Sequence, residues 1–307
     1  MTTKVDVIIP VYGQEALVRA CIRSVRAARC RTAYELIIVD DASPEPRLLA
    51  WLDAQARVGR ITLLRQSENR GFVAAVNIGM ALHPDRDVVL LNSDTLVFRN
   101  WLDRLSAASL SRNRVASVTP FSNNATICSY PAYPEGGQLP TGWSAKRLDR
   151  LCSSVLPLET VTIPTAVGFC MYISRSSMNR VGYFDAEAFG MGYGEENDFC
   201  MRASEAGYVH LLDASTYVYH AGGASFNEGA EALKRNAQAV IDRRWPHYNS
   251  LVAEFIGRDP IRPLRERLDR TESGLTGFFW RVSGGSDQCR RVKQSPNIGS
   301  SLSGEEG

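Results

Sequence analysis

The first 120 residues alternate short, continuous apolar runs with longer segments whose apolar residues recur at helical spacing. The apolar runs predict buried strands at residues 5–10, 35–39, 61–64, 87–91 and 115–119. The segments between them predict helices at residues 14–29, 46–58, 72–82 and 101–110. Strands that alternate with helices at this spacing predict βαβ units. Because the strands are apolar throughout, we predict an α/β fold whose mostly parallel sheet is flanked by helices on both faces.

The second half of the chain is less regular. Residues 120–164 are rich in Pro, Gly, Ser and Asn and predict a long loop over the functional side of the sheet. Further strands are predicted at residues 167–173 and 208–219, and helices at residues 174–181, 195–206 and 228–245. Gly207 and Pro246 follow the last two helices, and such residues commonly end a helix.

The composition changes near residue 250, so we predict one domain over residues 1–250 and a basic, partly disordered tail over residues 251–307. Five arginines predict a basic face in this tail: Arg258, Arg262, Arg265, Arg267 and Arg270. Residues 294–307 hold few apolar side chains and are predicted to be disordered.

Composition and charge exclude several classes of protein. The chain has 307 residues, of which 44% are apolar and 22% charged, as in ordinary globular proteins. A net charge of +2 argues against nucleic acid as a partner. Seven cysteines without a CxxC pair predict buried thiols, such as Cys170 and Cys200, and a reducing compartment. No apolar run approaches the roughly 20 residues of a membrane span, so we expect a cytoplasmic protein.

Polar clusters follow each of the first four predicted strands. They are Tyr12-Gly13, Asp40-Asp41, Arg70-Gly71 and Asn92-Ser93-Asp94. In open α/β sheets, ligands bind outside the carboxyl ends of the strands. Any one cluster is also explained as a turn, but their shared position predicts a ligand site at one edge of the sheet.

Asn92 and Asp94 place two oxygen-bearing side chains after a buried strand. Mg²⁺ and Mn²⁺ prefer oxygen ligands and often complete their coordination with substrate phosphates. His220 could supply a nitrogen ligand from further along the chain, and the glycines after it would let another group approach closely. The alternatives are a strand-end turn at Asn92 and a structural role for His220.

Three acids, Glu195, Glu196 and Asp198, stand at the start of a predicted helix. The partial positive charge of a helix N-terminus stabilises carboxylates there, so a solvated capping turn is one explanation. A catalytic cluster is the other. The chain has no GxxxxGK[ST] loop, which argues against a P-loop nucleotide hydrolase.

Six motifs occur along the chain: PVYG, VDDAS, ENRGFVAAVN, LNSDT, GEENDFCMR and YHAGGASF, starting at residues 10, 39, 68, 91, 194 and 219. In this order they resemble the motifs of family 2 inverting glycosyltransferases, and specifically a bacterial rhamnosyltransferase-like subgroup that builds surface polysaccharide. The resemblance implies a GT-A fold with a nucleotide-binding half (about 1–120) and an acceptor half (about 121–250). It also implies transfer of sugar from a dTDP- or UDP-sugar to a glycan or lipid-linked hydroxyl, with Mn²⁺ or Mg²⁺.

The resemblance also assigns residues. Asp94 would be the main metal ligand, joined by Asn92 and His220, since Asn92-Ser93-Asp94 stands where the family has DxD. Glu196 would be the catalytic base, oriented by Glu195 and supported by Asp198. The predicted nucleotide-sugar site comprises Pro10, Tyr12, Asp40 or Asp41, Arg70, Gly71, Asn77, Asn92, Ser93, Gly168 and Tyr193.

Two other functions remain open. Because Asn92 departs from DxD, the chain could be a non-catalytic relative that binds sugar nucleotides or glycans. A nucleotidylyltransferase would need a basic, glycine-rich loop near the N-terminus, and residues 10–14 carry no Lys or Arg. The arginines of the tail and the Phe278-Phe279-Trp280 cluster predict peripheral contact with the inner face of the plasma membrane, with a solvated tail as the alternative.

Overall fold

A computed structural model of the protein describes residues 4–222 and 228–282. The strands are β1 (Val5–Val11), β2 (Tyr34–Asp40), β3 (Thr62–Arg65), β4 (Val88–Leu91), β5 (Thr95–Leu96), β6 (Val115–Phe121), β7 (Thr160–Ile163), β8 (Cys170–Ile173), β9 (Val209–Tyr217) and β10 (Tyr219–His220). The helices are α1 (Glu15–Ala27), α2 (Pro46–Arg57), α3 (Phe72–Ala81), α4 (Trp101–Ser109), α5 (Ala145–Val155), α6 (Arg175–Val181), α7 (Ala186–Phe189), α8 (Glu195–Glu205), α9 (Glu228–Arg244), α10 (Tyr248–Arg258) and α11 (Arg262–Val282).

Eight strands form one sheet in the order β3-β2-β1-β4-β8-β6-β9-β7. The first four are parallel, and β6 and β9 run in the same direction. The strands β7 and β8 run in the opposite direction. The prediction of a mostly parallel sheet flanked by helices is therefore confirmed, and the two antiparallel strands were not foreseen. A separate antiparallel ribbon pairs β5 with β10.

The sheet has an apolar core on each face. Alternate residues of β1 enter different cores, so that Ile9 packs with Val18 and Ile22 of α1, whereas Ile8 packs with Val76 of α3. A strand buried on both faces needs apolar side chains at successive positions. This arrangement explains the continuous apolar runs of the sequence and brings the carboxyl ends of the parallel strands to one edge.

The prediction of a loop over residues 120–164 is wrong in its second part. Helix α5 and the edge strand β7 lie within it, and α5 buries Leu148, Leu151 and Cys152 against the sheet. The turn-forming residues around 131–142 obscured the helical spacing that follows them. The preceding segment, residues 122–138, is irregular and contacts the carboxyl edge of the sheet, as described below.

The boundary predicted at residue 250 does not end the packed body. Helices α10 and α11 continue it: Ile261, just before α11, and Leu264 and Leu268 of α11 are buried in the larger core. The Tyr130 hydroxyl also donates a hydrogen bond of 2.9 Å to Asp269. Residues 294–307, predicted to be disordered, lie outside the described residues.

The five arginines of the tail do not form an unbalanced basic face. Each one is paired with an acid: Arg258 with Glu254, Arg262 and Arg270 with Glu266, Arg265 with Asp259, and Arg267 with Glu159. The side chains of Phe278, Phe279 and Trp280 lie outside the described part of the molecule. Within that part, every helix is too short or too polar to span a bilayer.

Candidate active site

Loops at the carboxyl ends of the strands are joined to one another by short hydrogen bonds. The Gly13 amide donates to the Ser43 hydroxyl at 3.0 Å, which connects the loops after β1 and β2. The Asn92 amide donates to the Phe169 carbonyl at 2.8 Å, which connects the end of β4 to the start of β8. The polar clusters singled out in the sequence therefore lie at one edge, on a scaffold that holds them in place.

Asp94 and His220 face each other across the β5–β10 ribbon. In this ribbon His220 lies opposite Thr95, and His220 Nε2 lies 3.4 Å from Asp94 Oδ1. His220 Nδ1 lies 2.8 Å from the carbonyl oxygen of Asn124, and the imidazole stacks on Phe169 with ring centroids 5.3 Å apart. A carbonyl oxygen only accepts hydrogen bonds, so Nδ1 carries the hydrogen and Nε2 directs its lone pair at the Asp94 carboxylate.

Two acceptors that face each other need a positive charge between them. Burial lowers the pKa of His220, but a protonated Nε2 could donate to Asp94, and this hydrogen bond, the charge of Asp94 and the Asn124 carbonyl outweigh burial and raise that pKa above its ordinary value. A divalent cation would satisfy the same pair, because carboxylate and imidazole are both established ligands of Mn²⁺-type ions. The donor set therefore fits the predicted cation.

The glycine after β10 lets the chain approach Asp94. The Gly222 amide donates to Asp94 Oδ2 at 3.2 Å, and the Ala221 amide donates to the Asp94 carbonyl. Gly222 has φ +63°, and a Cβ there would collide with the side-chain amide of Asn124. The prediction of close backbone approach after His220 is confirmed at this glycine, and Gly223 lies outside the described residues.

Asn92 and Ser93 are the other two residues of the Asn92-Ser93-Asp94 motif. The Asn92 carbonyl accepts hydrogen bonds from the Thr95 amide and from the Thr95 hydroxyl, at 3.3 and 2.7 Å. This turn fixes the main chain. Among the described residues, neither side chain has a hydrogen-bonded partner, and both are half-buried. They are thus available to a ligand that binds beside Asp94.

Glu195 and Glu196 are two neighbouring carboxyls without a cationic partner in the described residues. Glu195 is 4% exposed, Glu196 is half-buried, and Oε2 of each is a buried atom with no hydrogen-bond partner in that same part of the chain. Burial raises the pKa of both, and the charge of Glu196 raises that of Glu195 further. A hydrogen bond from Glu195 offsets part of this rise at Glu196, so the pKa of Glu195 is raised the more strongly of the two.

Gly168 lies beside Glu196 at the strand edge. A Cβ built on Gly168 would lie 3.7 Å from the carboxyl carbon of Glu196. Gly168 immediately precedes Phe169, which contacts both Asn92 and His220. The loop before β8 thus connects Glu196 to the Asp94–His220 pair, as expected if the acids and the cation ligands serve one site.

Asp198 differs from its two neighbours, and its assignment to the catalytic group is corrected. It is fully buried and accepts hydrogen bonds from Arg202 Nε at 2.8 Å, Arg244 Nη1 at 3.1 Å and Trp245 Nε1 at 3.0 Å. These contacts neutralise the carboxylate and join α8 to the end of α9. Asp198 therefore supports the helix that carries the two glutamates and is not available to a substrate.

The two aspartates after β2 have different roles. Asp40 is fully buried and accepts from the Ser43 amide at 3.0 Å and from Arg65 Nε at 2.8 Å, so it holds the local fold. Asp41 accepts from the main-chain amides of Arg70 and Gly71, both at 2.8 Å. Asp41 is 4% exposed and therefore shapes the loop that presents the exposed Arg70 side chain.

The remaining residues of the predicted nucleotide-sugar site are distributed around this edge. Tyr12 is 54% exposed beside the half-buried Pro10. Gly71, with φ +87°, contacts the loop before α8, since a Cβ there would lie 2.6 Å from Met191 Cα. Tyr193 in the same loop has φ +71°, an unusual value for a residue with a side chain.

The predicted place of Asn77 in the nucleotide-sugar site is corrected by its hydrogen bonds. Its Nδ2 donates to the Phe184 carbonyl at 2.8 Å, and its Oδ1 accepts from the Phe184 amide at 3.2 Å. Both ends of the side-chain amide are thus bound to one main-chain residue. The structure gives Asn77 a structural role, connecting α3 to the loop before α7, in place of the predicted contact with the donor.

Comparison with known proteins decides the family. Residues 6–182, more than half of the chain, match the profile of Glycosyl transferase family 2. The chain belongs to this family. Its most similar relatives include the uncharacterized protein y4gI of Sinorhizobium fredii (23% identity; 92% of this chain and 31% of the relative). They also include glycosyltransferase AglE of Haloferax volcanii (23%; 66% and 62%) and mouse polypeptide N-acetylgalactosaminyltransferase 3 (23%; 80% and 42%). The chain thus spans about one third to two thirds of these relatives.

Solved structures agree on the fold. A crystal structure of GalNAc-T7 with UDP, GalNAc and Mn²⁺ has a TM-score of 0.61 at 18% identity and covers 88% of this chain and 54% of that one. The mannosyltransferase PcManGT of Pyrobaculum calidifontis, in complex with GDP-Man and Mn²⁺, has a TM-score of 0.56 at 16% identity and covers 93% and 77%. The family 2 chain therefore has the predicted GT-A fold.

Sequence reasoning missed Asn123 and Asn124 in this family 2 site. They follow β6, which runs parallel to β4, and they contact His220 at the same edge. Applying the strand-end rule to β6 as well would have found them. Gln66 was also missed; its Nε2 donates to Asp41 at 2.6 Å, after the carboxyl end of β3.

A second group of residues that can bind metals lies at the opposite edge of the sheet, near the starts of β1 and β2. The ligand atoms of Asp6, Glu35 and His83 lie within 4.8 Å of one another. Arg86 Nη1 already lies among them, at 3.0, 2.9 and 3.1 Å from the three residues. The guanidinium supplies the positive charge that a metal would otherwise bring, so this cluster is an ion-pair network.

Proposed function

We propose that the protein transfers a sugar from a nucleotide-diphosphate sugar to a hydroxyl group of a glycan or lipid-linked acceptor, with inversion at the sugar. One observation carries the proposal. At a single edge of the sheet, an aspartate and an imidazole direct acceptor atoms at each other, and nearby stand the buried Glu195 and the half-buried Glu196, which have no cationic partner among the described residues. Perturbed titratable groups clustered in this way are typical of catalytic sites.

The cation and the donor would bind at the ends of β2 and β4. Asp94 and His220 would hold Mn²⁺ or Mg²⁺, with Asn92 as a weaker ligand. When bound, the cation supplies positive charge to the leaving diphosphate. Arg70 is exposed beside this position and would bind a phosphate, while Asp41 and Tyr12 would contact the nucleoside. The solved structures described above contain UDP and GDP-Man, which supports a nucleotide-sugar donor, here taken to be a dTDP- or UDP-sugar.

Glu196 would take the proton from the acceptor hydroxyl. Within the described part of the chain, Oε2 of its carboxyl group is buried without a hydrogen-bond partner, and the group lies beside Gly168. Glu195, whose pKa is raised the more strongly, would carry a proton, donate it in a hydrogen bond to Glu196 and hold that side chain in place. A single displacement needs one base, which supports inversion, whereas glycoside hydrolysis uses two carboxyls that flank the bond.

The biological role we propose is surface-polysaccharide assembly at the cytoplasmic side, as in the rhamnosyltransferase-like subgroup that the motifs resemble. Membrane contact through the arginines is not part of this proposal, because each of the five arginines is paired with an acid. A non-catalytic relative is the second candidate, favoured by the asparagine at position 92.

The test compares wild type, Asp94→Ala and Asp242→Ala with radiolabelled UDP- and dTDP-sugars and Mn²⁺. Asp242 is an exposed residue of α9 whose carboxylate accepts hydrogen bonds from Gln238 and Asn249, so it is a matched control away from the site. We expect transfer by the wild type and by Asp242→Ala, and its loss in Asp94→Ala and in EDTA. Activity of Asp94→Ala in EDTA would refute the cation site. Donor binding without turnover by the wild type would favour the non-catalytic alternative.

A further inference from the structure

The proposed cation ligand His220 lies on β10, a strand too short to be fixed by its own main-chain pairing. The strand β10 has two residues and pairs with a two-residue partner, β5. Peptide groups along a strand alternate in direction, so the amides of Tyr219 and Ala221 face β5 and that of His220 faces away. The Ala221 amide does donate to Asp94. The main chain of His220 must therefore find its partners elsewhere.

Asn123 supplies both of those partners. Its Nδ2 donates to the His220 carbonyl at 2.8 Å, and its Oδ1 accepts from the His220 amide at 2.9 Å. The side-chain amide of one residue thus pairs with His220 as the peptide group of a third strand would. The second Nδ2 hydrogen is donated to the Gly137 carbonyl at 2.9 Å. Asn123 is 1% exposed, so these bonds are shielded from water.

The next residue fixes the imidazole ring. The Asn124 carbonyl accepts the Nδ1 hydrogen, which leaves Nε2 free to bind a cation. Partners of this kind, beyond the ligands themselves, set the tautomer and the orientation of metal-binding histidines. Asn123 and Asn124 therefore act on the main chain and on the ring of the same residue.

We propose that Asn123 is a positioning residue that sets the cation affinity of the site by holding His220 Nε2 opposite Asp94. The inference rests on the proposed function, since it requires a cation at this pair. Changes to such outer partners typically lower metal affinity by about 10–100-fold. Loss of the pairing should therefore weaken Mn²⁺ binding by that factor, and saturating Mn²⁺ should restore most of the sugar transfer.

The chain offers a matched control in Asn77. This asparagine pairs with the amide and the carbonyl of Phe184 in the same bidentate way. Asn77→Ala should lower the melting temperature by an amount similar to that of Asn123→Ala, because each removes one such pairing. Its Mn²⁺ affinity should equal that of the wild type, since Phe184 is not a cation ligand.

The experiment measures free Mn²⁺ by electron paramagnetic resonance, with no donor present, in titrations of wild type, Asn123→Ala, Asn123→Asp and Asn77→Ala. Asn123→Asp keeps the shape and the acceptor but loses both donors, so it should weaken binding with less disturbance than Asn123→Ala. Circular dichroism checks folding.

Each outcome has a distinct meaning. Absence of Mn²⁺ binding by the wild type would overturn the proposed cation site and this inference with it. Unchanged Mn²⁺ affinity in a folded Asn123 variant would overturn the inference alone, as would equal weakening in Asn77→Ala. If both Asn123 variants failed to fold while Asn77→Ala folded, Asn123 would be a residue of the fold, and the inference would also fail.

Discussion

Replacing Glu196 by glutamine tests the assignment of the catalytic base. The substitution keeps the shape of the side chain, so its contact with Gly168 and the packing of α8 should survive. It removes the atom that would accept the acceptor proton. Loss of a general base typically lowers the rate about 10²–10⁴-fold, which corresponds to about 2.7–5.4 kcal/mol of transition-state stabilisation. The affinity for the donor should hardly change, because Asp94, His220 and Arg70 are untouched.

Glu195→Gln is the sharpest control, because the proposed mechanism needs a protonated Glu195 beside an ionised Glu196. A glutamine closely imitates a protonated glutamate and still donates a hydrogen bond to Glu196. We therefore expect Glu195→Gln to retain activity to within about tenfold, less than the typical loss of a general base. Transfer by both variants is measured with labelled donor and saturating acceptor. Normal transfer by Glu196→Gln together with loss of transfer in Glu195→Gln would refute the assignment.

The pH dependence of stability provides a second readout for Glu195. Its folded pKa is raised, so above the unfolded value of about 4.3 the folded state binds a proton that the unfolded state has released. The stabilisation from that proton is present at low pH and is lost as the pH rises toward and through the folded pKa. Glu195→Gln cannot titrate, so its melting temperature should fall less over this interval than that of the wild type. An equal decline in both proteins would contradict the proton on Glu195.

Two other expectations concern charge, one at the candidate cation site and one at the arginines of α10 and α11. Asn92→Asp should bind Mn²⁺ more tightly than the wild type while keeping activity, because a second carboxylate beside Asp94 adds charge for a hard cation; weaker binding in a Mn²⁺ titration would argue against Asn92 as a ligand. The protein should not co-sediment with anionic vesicles even at low salt, since each arginine from Arg258 to Arg270 is paired with an acid. Binding that salt reverses would show that those pairs open at a membrane surface.

The fold was largely predictable because its signals are local. The apolar runs of β1, β2 and β4 and the helical spacing of α1 and α3 each arise within a few residues, and their alternation indicates the parallel sheet. Helix α5 was missed because the Pro- and Gly-rich residues before it suggested a loop. The packing of α11 and of the residue before it was missed because Ile261, Leu264 and Leu268 are apolar positions within a stretch dominated by arginine.

The site was predictable only where its residues follow strands or match motifs. Sequence reasoning named Asp94, His220, Glu195 and Glu196, but it could not distinguish Asp198 from the two glutamates. That distinction depends on Arg244 and Trp245, which are more than 40 residues away along the chain, at separations of 46 and 47. A pattern of three acids at a helix start is the same whether or not a distant arginine neutralises one of them.

The candidate cation site draws on both the predicted nucleotide-binding half and the predicted acceptor half. Asp94 belongs to the first half, but the second half provides the imidazole that faces it and the Gly222 amide that binds its other oxygen, 128 residues further on. The residues that hold His220, Asn123 and Asn124, also belong to the second half. At the candidate cation site, the first half supplies only the Asp94 carboxylate. The second half supplies the His220 imidazole and the residues that hold it in place. The two halves therefore describe where substrates would bind, whereas the candidate cation site forms only when β10 pairs with β5.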